Sequence, residues 1–222
     1  HAGEVVGIAG LLGSGRSAIA RLLFGIDPKT SGDIVVAGKT VEINDPATAI
    51  AHGIALIPED RLRQGVVLEH SVADNISLSV FDRISKRGWI SQQKWSDLAA
   101  EKIKSLKVKT ASAAAAVRTL SGGNQQKVVL AKWLASDPRI IIFDEPTAGI
   151  DIGSKSEIIQ LIRDLARQGK AIIVISSELN EKLFGGGNSV GKTVRLEQAA
   201  FKIIGVLKEW RLRPRFYDLT QS

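Results

Sequence analysis

The sequence predicts an α/β fold with a mainly parallel sheet and a helical subdomain. Short apolar runs at Glu4–Ala9 and Ala171–Ser176 have the pattern of buried strands. The continuous β-branched run Ile140–Phe143 suits a central parallel strand that is buried on both faces. Helical patterns such as Ser96–Leu106 fall within residues 70–136, the predicted subdomain. A chain of 222 residues can bury one core of this kind.

A glycine-rich turn follows the first predicted strand directly. The run Gly10–Ser17 has the spacing of a P-loop, and Ala18–Phe24 reads as the helix that must follow it. In such a loop the backbone amides surround the α- and β-phosphates, and a hydroxyl ligates Mg²⁺. The alternative is a glycine turn with no ligand. The candidate nucleotide-binding residues are Gly10, Gly13, Ser14, Gly15, Arg16, Ser17 and Ala18, and Ser17 is also a candidate metal ligand.

The candidate loop departs from the P-loop pattern at one position. Arg16 stands where the pattern has lysine. Lysine presents a compact, mobile ammonium to the β- and γ-phosphates, whereas guanidinium is a longer planar fork with fixed donor directions. We therefore expect nucleotide binding to survive this change better than hydrolysis.

Two further segments resemble the ABC family. The run Leu120–Lys127 resembles its signature, and Ile140–Thr147 resembles a Walker B strand at the expected distance. The resemblance implies that the signature turn, Leu120–Gly123, faces the γ-phosphate of an ATP held by a partner domain, through the hydroxyl of Ser121 and the amides of Gly122 and Gly123 at a positive helix end. The alternative is an ordinary helix start with glycine.

The acidic residues after the predicted Walker B strand are candidate catalytic groups. In the family, the residue at Asp144 holds Mg²⁺ through water, and the one at Glu145 polarises the attacking water. The alternative for this pair is a solvated loop. Asp151 ends the D-loop segment, Thr147–Asp151, which in the family touches the opposite domain's P-loop. An N-cap is the alternative for Asp151, and both roles are compatible.

Taken together, the motifs resemble the ATP-binding subunits of bacterial sugar ABC importers of the ribose, galactose and xylose type. Those subunits carry two nucleotide-binding domains, and this chain resembles the second over residues 1–181, including Ile57–Arg61. Two positions depart from the general family pattern. Glu59 occupies the place of the Q-loop glutamine, and Ser177 that of the switch histidine. Each change removes a group that contacts the γ-phosphate or the attacking water.

The resemblance implies an ATP-hydrolysing domain that uses ATP and Mg²⁺. Its partners would be the first nucleotide-binding half, transmembrane permease subunits and, indirectly, a periplasmic sugar-binding protein. Its place would be cytoplasmic, peripheral on the inner face of the bacterial membrane. The hypothesis is that Ser121, Gly122 and Gly123 complete a working ATP site on the first half, while the degenerate site at Arg16 mainly binds nucleotide.

Two other functions are alternatives to this hypothesis. One is a soluble ABC ATPase that acts on nucleic acid, and the other is a regulatory domain that binds ATP without hydrolysing it. The net charge of +7 is compatible with a nucleic-acid partner, but the residues after position 182 contribute +4 of that charge. The sequence contains neither coiled-coil patterns nor cysteine zinc modules, which would favour an ABC ATPase of that kind. The charge distribution thus argues against a nucleic-acid partner.

Composition sets further bounds. No stretch approaches the roughly 20 consecutive apolar residues of a membrane span, so we expect a soluble chain. Cysteine is absent, which excludes disulfides and thiolate metal sites and agrees with a cytosolic location. The three histidines are widely spaced and show no ligand pattern.

The tail, residues 182–222, is not assigned to the family-like body. Gly186–Thr193 matches the full Walker A pattern, including Lys192, but no strand with a terminal Asp follows it. The alternative is a glycine linker that leads to an amphipathic helix over Val194–Trp210. The ending that the resemblance implies, a strand and a small hairpin, is not recognisable here.

Overall fold

A five-stranded parallel sheet forms the centre of the protein. The computed structural model describes residues 1–10 and 15–176, and the backbone of three short segments at 193–196, 199–202 and 206–207. The sheet has the strand order β11-β1-β8-β7-β4. Its strands are β1 (Val5–Gly10), β4 (Ile54–Ile57), β7 (Ile140–Asp144), β8 (Ala171–Ser176) and β11 (Val206–Leu207). The strands predicted at Glu4–Ala9, Ile140–Phe143 and Ala171–Ser176 are confirmed.

Three antiparallel hairpins accompany the sheet. They pair β2 (Ile34–Val36) with β3 (Lys39–Val41), β5 (Ser85–Lys86) with β6 (Trp89–Ile90), and β9 (Thr193–Leu196) with β10 (Ala199–Lys202). The helices are α1 (Arg16–Leu23), α2 (Pro46–Ala51), α3 (Val72–Ser77), α4 (Phe81–Ile84), α5 (Gln92–Ser105), α6 (Gly122–Ala135) and α7 (Ile152–Arg167).

Strand β7 separates two hydrophobic cores. Ile141 and Phe143 join the core that contains residues of α6 and α7, whereas Ile142 joins the core that contains residues of α1 and α2. This division follows from the pleat, because successive side chains of a strand point to opposite faces. The sheet is therefore covered on both faces, as the continuous apolar run predicts. The same alternation directs the next residue, Asp144, toward the face that α1 covers.

The predicted subdomain region contains helices α3 to α6 and the β5–β6 hairpin. Helix α5 begins at Ser91, whose hydroxyl accepts a hydrogen bond from the Lys94 amide at 3.4 Å, and it contains most of the predicted Ser96–Leu106 helix. Helix α6 reaches the main core, with Val128, Val129 and Leu130 fully buried. The division of the chain into a body and a subdomain stays a prediction.

Two lysines of α6 are buried, Lys127 and Lys132. Lys132 is 8% exposed, and its Nζ donates a hydrogen bond to the Gly65 carbonyl at 2.5 Å. Burial lowers the pKa of Lys132 from 10.5 to about 8, because the charged ammonium is poorly solvated there. The folded chain therefore carries an unfavourable charge at neutral pH.

This burial predicts a specific pH dependence of stability. From pH 8 to 10.5 the unfolded chain binds the proton more strongly than the folded chain, so stability rises with pH, and below pH 8 the full cost of the buried charge is present. Over that interval we expect wild type to gain on the order of 3 kcal/mol relative to Lys132→Met. Urea unfolding at pH 7.5 and pH 10 measures this, with the exposed Lys94→Met as control. Parallel pH profiles for wild type and Lys132→Met would contradict it.

The helix expected over Val194–Trp210 is wrong for the residues described there. The backbone forms β9 and β10, and β11 pairs in parallel with β1, with Val206 opposite Ala9 and Leu207 opposite Gly10. The alternation of Thr193–Leu196 suits a strand, and a strand added beside β1 satisfies backbone groups that an edge would leave open. The Walker A-like run Gly186–Thr193 lies outside the described residues, except for Thr193 at the start of β9.

Candidate functional site

The carboxyl ends of the parallel strands bring several predicted site residues together. Ser17 lies in the first turn of α1, Asp144 ends β7, and Glu59 follows β4. The edge at the carboxyl ends is where ligands of open α/β sheets bind. Of the other predicted residues, Gly13, Ser14 and Ser177 lie outside the described residues. Gly10 ends β1, and Ala18 lies within α1.

Helix α1 begins at a glycine with a left-handed backbone. Gly15 is the N-cap residue and has φ 82°, a conformation that residues with a side chain adopt only with strain. The glycine thus allows the chain to turn sharply from the loop into α1. The helix starts two residues earlier than the predicted Ala18–Phe24, so that Arg16 and Ser17 lie in its first turn.

A direct hydrogen bond joins the predicted metal ligands. The Ser17 hydroxyl donates to Asp144 Oδ1 at 3.1 Å. Asp144 is 6% exposed, and burial raises the pKa of its carboxyl, with smaller effects from the Ser17 hydrogen bond and from the charges of Glu59, Glu145 and Arg16. Two hard oxygen ligands thus meet in a site where an ionised carboxylate is poorly solvated. That donor set suits Mg²⁺, which would also stabilise the carboxylate charge.

Arg16 points into the same cluster. Its side chain is 6% exposed, and Nη1 lies 3.6 Å from Glu145 Oε1. This distance allows an ionic contact but exceeds that of a hydrogen bond. Nη1 is buried and has no hydrogen-bond partner among the described residues. The site therefore holds a buried guanidinium with donor capacity that an anion would satisfy.

Glu145 leaves the strand in an unusual conformation. Its φ is 45°, in the left-handed region, and its amide donates to the Ile175 carbonyl at 3.0 Å. The left-handed turn breaks the strand alternation, so Glu145 contacts Arg16 on the same side as Asp144. Backbone strain of this kind concentrates at functional sites.

The signature turn forms a second cluster. Ser121 is the exposed N-cap of α6, and its hydroxyl makes no bond to its own helix amides but accepts from Asn124 Nδ2 at 2.9 Å. A Cβ at Gly122 would lie 2.8 Å from Arg61 Nη2, and one at Gly123 would collide with the Ser154 hydroxyl. Close packing against Ser154 therefore favours glycine at 123, whereas the neighbour at Gly122 is the flexible end of the Arg61 side chain. The sequence alone did not reveal either contact.

Asp151 links the second cluster to helix α7. It is the N-cap of α7, and its Oδ1 accepts a hydrogen bond from the Ser154 amide at 3.0 Å. That bond lowers the pKa of the Asp151 carboxyl. The N-cap role considered for Asp151 is confirmed. The D-loop segment thus runs from the acidic cluster at Glu145 to the signature turn.

Sequence reasoning missed the role of Arg61. This residue was notable only as part of the run Ile57–Arg61, yet its guanidinium contacts both the D-loop segment and Gly122. No local pattern indicates this, since 87 residues separate Arg61 from Ala148.

The described part of the chain contains neither a candidate membrane-spanning helix nor a cluster of metal-ligating side chains. Among residues 1–10 and 15–176, no helix combines the length and apolar character that crossing a bilayer requires. Within the same ranges, no cluster of three or more histidine or acidic side chains is arranged to hold a metal ion.

This architecture is that of the α/β P-loop NTPases. A nucleotide-free ATP-binding cassette of an ABC transporter superimposes with a TM-score of 0.68 at 22% identity, over 81% of this chain and 73% of that one. A second cassette, MJ0796, solved as a dimer in a post-hydrolysis state bound to ADP and Pi, gives a TM-score of 0.66 at 26% identity over 81% and 77%. The chain belongs to the ABC transporter family, whose profile matches residues 1–148.

Two curated relatives are about 50% identical to this chain over the aligned residues. The chain is 50% identical over 183 residues to the ribose import ATP-binding protein RbsA of Geobacillus kaustophilus, covering 82% of this chain and 37% of that protein. It is also 50% identical over 183 residues to a putative ribose/galactose/methyl galactoside import ATP-binding protein of Rhizobium etli, covering 82% and 35%. The chain thus spans about a third of the length of these relatives.

Proposed function

We propose that this chain is an ATP-binding domain of a sugar importer and works as a pair with a companion nucleotide-binding domain. Its relatives support this, because they are named as ATP-binding proteins for ribose or ribose/galactose/methyl galactoside import. The dimeric MJ0796 cassette with ADP and Pi supports the pairing of two such domains. ATP is then the nucleotide, and its hydrolysis is the activity of the assembled subunit.

The contact between Ser17 and Asp144 beneath the buried Arg16 guanidinium carries the proposal. A hydroxyl and a carboxylate 3.1 Å apart would hold Mg²⁺, and Nη1 of Arg16, which has no hydrogen-bond partner within the described ranges, would donate to a phosphate oxygen. Mg²⁺, when bound, supplies charge neutralisation to the β- and γ-phosphates. The chain's own residues orient the phosphates and keep the site largely closed to water, since Arg16 and Asp144 are both buried.

The same geometry favours binding over hydrolysis at this site. In the proposed role, the Glu145 carboxylate accepts a hydrogen bond from the attacking water. Here the Arg16 guanidinium lies 3.6 Å away and competes for that carboxylate. The planar fork of arginine also cannot take the position of a compact ammonium between two phosphates. The Arg16 site therefore binds ATP and turns it over slowly.

The signature turn would serve the other site of the pair. Ser121 is exposed, and Gly122 and Gly123 place two side-chain-free amides in the first turn of α6. These donors and the positive end of the helix suit the γ-phosphate of an ATP held by the companion domain. Asp151 and the D-loop segment lie beside this turn and would reach the same partner.

In the assembled importer, this domain would work together with membrane and sugar-binding subunits. Transmembrane permease subunits would bind this domain on the cytoplasmic face of the membrane, and a periplasmic sugar-binding protein would act through them. ATP closes the pair of domains, and hydrolysis reopens it. The choice of sugar would lie with the permease and the binding protein.

Equilibrium titration with a fluorescent ATP analogue in Mg²⁺ tests the nucleotide site. We expect wild type to bind, Arg16→Ala to bind about 10- to 100-fold more weakly through loss of a charge-assisted hydrogen bond, and Lys192→Ala to bind like wild type. Loss of binding from Lys192→Ala alone would place the nucleotide on the Gly186–Thr193 run. Absence of binding by wild type would refute the proposal.

A further inference from the structure

Arg61 joins two segments that are distant in sequence. It opens a π-helical turn, Arg61–Gly65, just after β4, and the Asp60 side chain caps that turn by accepting from the Arg63 amide at 3.1 Å. The Arg61 guanidinium crosses to the D-loop segment. Nη1 donates to the Ala148 carbonyl at 3.0 Å, and Nη2 donates to the Gly149 carbonyl at 3.0 Å.

The guanidinium also touches the start of the signature helix. A Cβ at Gly122 would lie 2.8 Å from Arg61 Nη2, 3.6 Å from its Cζ and 3.6 Å from the Gly149 carbonyl oxygen. The turn after β4, the first turn of α6 and the D-loop segment therefore meet at one side chain. Arg61 Nε is buried there without a hydrogen-bond partner among the described residues.

Only arginine has the shape for this contact. The carbonyl oxygens of two adjacent residues each lie 3.0 Å from a different nitrogen of one rigid planar group. A lysine has a single terminal nitrogen, so it would have to bond to both carbonyls from one point. Charge-assisted hydrogen bonds of this kind are roughly twice as strong as neutral ones. Gly149 has φ 62°, a left-handed conformation that glycine adopts without strain, and its carbonyl accepts from Arg61 Nη2 in that conformation.

We propose that Arg61 is a positioning residue that locks the signature turn and the D-loop segment into one rigid unit. Both segments face the companion domain in the proposed function, on which this inference rests. Because one guanidinium bonds to the D-loop segment and lies against Gly122, the signature turn and the D-loop segment reach the companion's ATP together. Loss of Arg61 lets the two segments move independently, so fewer encounters between the domains produce a competent site.

The test compares Arg61→Gln and Arg61→Lys with Arg63→Gln. Arg63 is a matched control, because it lies in the same turn, its side chain is 87% exposed, and its Nε lies 3.7 Å from Asp60 Oδ2 in an exposed ion pair. Hydrogen exchange on the whole chain reports the link directly. We expect Arg61→Gln to raise amide exchange about 10-fold or more in both 121–127 and 147–155, and to leave β1, β7 and β8 unchanged.

Steady-state kinetics with the companion domain report the positioning role. In Arg61→Gln we expect kcat to fall about 10- to 100-fold, while KM and the affinity of the chain's own site for the fluorescent ATP analogue stay within about twofold. Arg61→Lys should recover little, because it lacks the fork. Millimolar methylguanidinium should restore part of the kcat of Arg61→Gln, which a merely structural defect would not allow.

The outcomes are distinct. Failure of wild type to bind nucleotide refutes the proposed function, while the exchange measurement still decides whether Arg61 holds the two segments. Normal binding with Arg61→Gln matching Arg63→Gln in exchange and kcat refutes the inference alone. A loss of kcat with exchange raised throughout the sheet and no recovery by methylguanidinium also refutes it, because the effect would then be general destabilisation.

Discussion

Ser121→Arg will reduce ATP turnover by the paired domains about 100- to 1000-fold, the size of effect seen when a donor to a developing charge is lost. Ser121 is exposed at the start of α6, so a long side chain there fills the space that the companion's phosphate needs without disturbing the core. Arg16→Ala should reduce turnover by less than about tenfold. Steady-state phosphate release by the pair measures both variants.

The control for this prediction is another exposed serine. Ser105 ends α5, and its exposed hydroxyl donates to the Lys102 carbonyl, so Ser105→Arg adds the same side chain away from both clusters. We expect its turnover to equal that of wild type. A large loss from Arg16→Ala together with none from Ser121→Arg would reverse the assignment of the two sites.

Asp144→Asn will stabilise the nucleotide-free chain and weaken its Mg²⁺-dependent nucleotide binding about 10- to 100-fold. Burial raises the pKa of Asp144, so the ionised carboxylate is less favoured in the folded chain than in the unfolded one. That cost is absent below the ordinary carboxyl pKa of 3.8 and complete once the pH exceeds the raised value. The asparagine removes the charge while its oxygen can still accept from Ser17.

Melting curves at pH 4 and pH 8, with and without nucleotide, measure this effect. We expect the melting temperature of Asp144→Asn to exceed that of wild type without nucleotide, by a margin that grows with pH. Ligand should raise the melting temperature of wild type more than that of the variant. Asp33→Asn, in an exposed loop position before β2, should change neither. A variant less stable than wild type at pH 8 would contradict the argument.

Sequence reasoning located the central strands and the acidic cluster well. Ile140–Phe143 and Ala171–Ser176 are strands because a buried parallel strand needs an uninterrupted apolar run, a condition visible within a few residues. The left-handed turn at Glu145 and its ionic contact with Arg16 could not be predicted in this way. They depend on how α1 packs against the end of β7, and no short window of sequence contains that information.

Long-range contacts account for the other differences. Nothing in the sequence around Arg61 distinguishes it from an arginine on the protein surface. Only the fold brings its guanidinium to the Ala148 and Gly149 carbonyls. The helix predicted over Val194–Trp210 fails at β9 and β10, because short alternating runs can also match a helical stripe. The pairing of Val206 and Leu207 with β1 could not be predicted, because about 200 residues of sequence separate the two strands.

The two-sided burial of β7 restricts how this part of the protein can vary during evolution. Ile141 and Phe143 face one core and Ile142 the other, and the same alternation brings Asp144 to Ser17. An insertion or deletion of one residue in β7 would exchange the two layers and turn the acid away from its partner. Homologous chains should therefore tolerate swaps among apolar residues of similar volume in this strand but keep its length invariant.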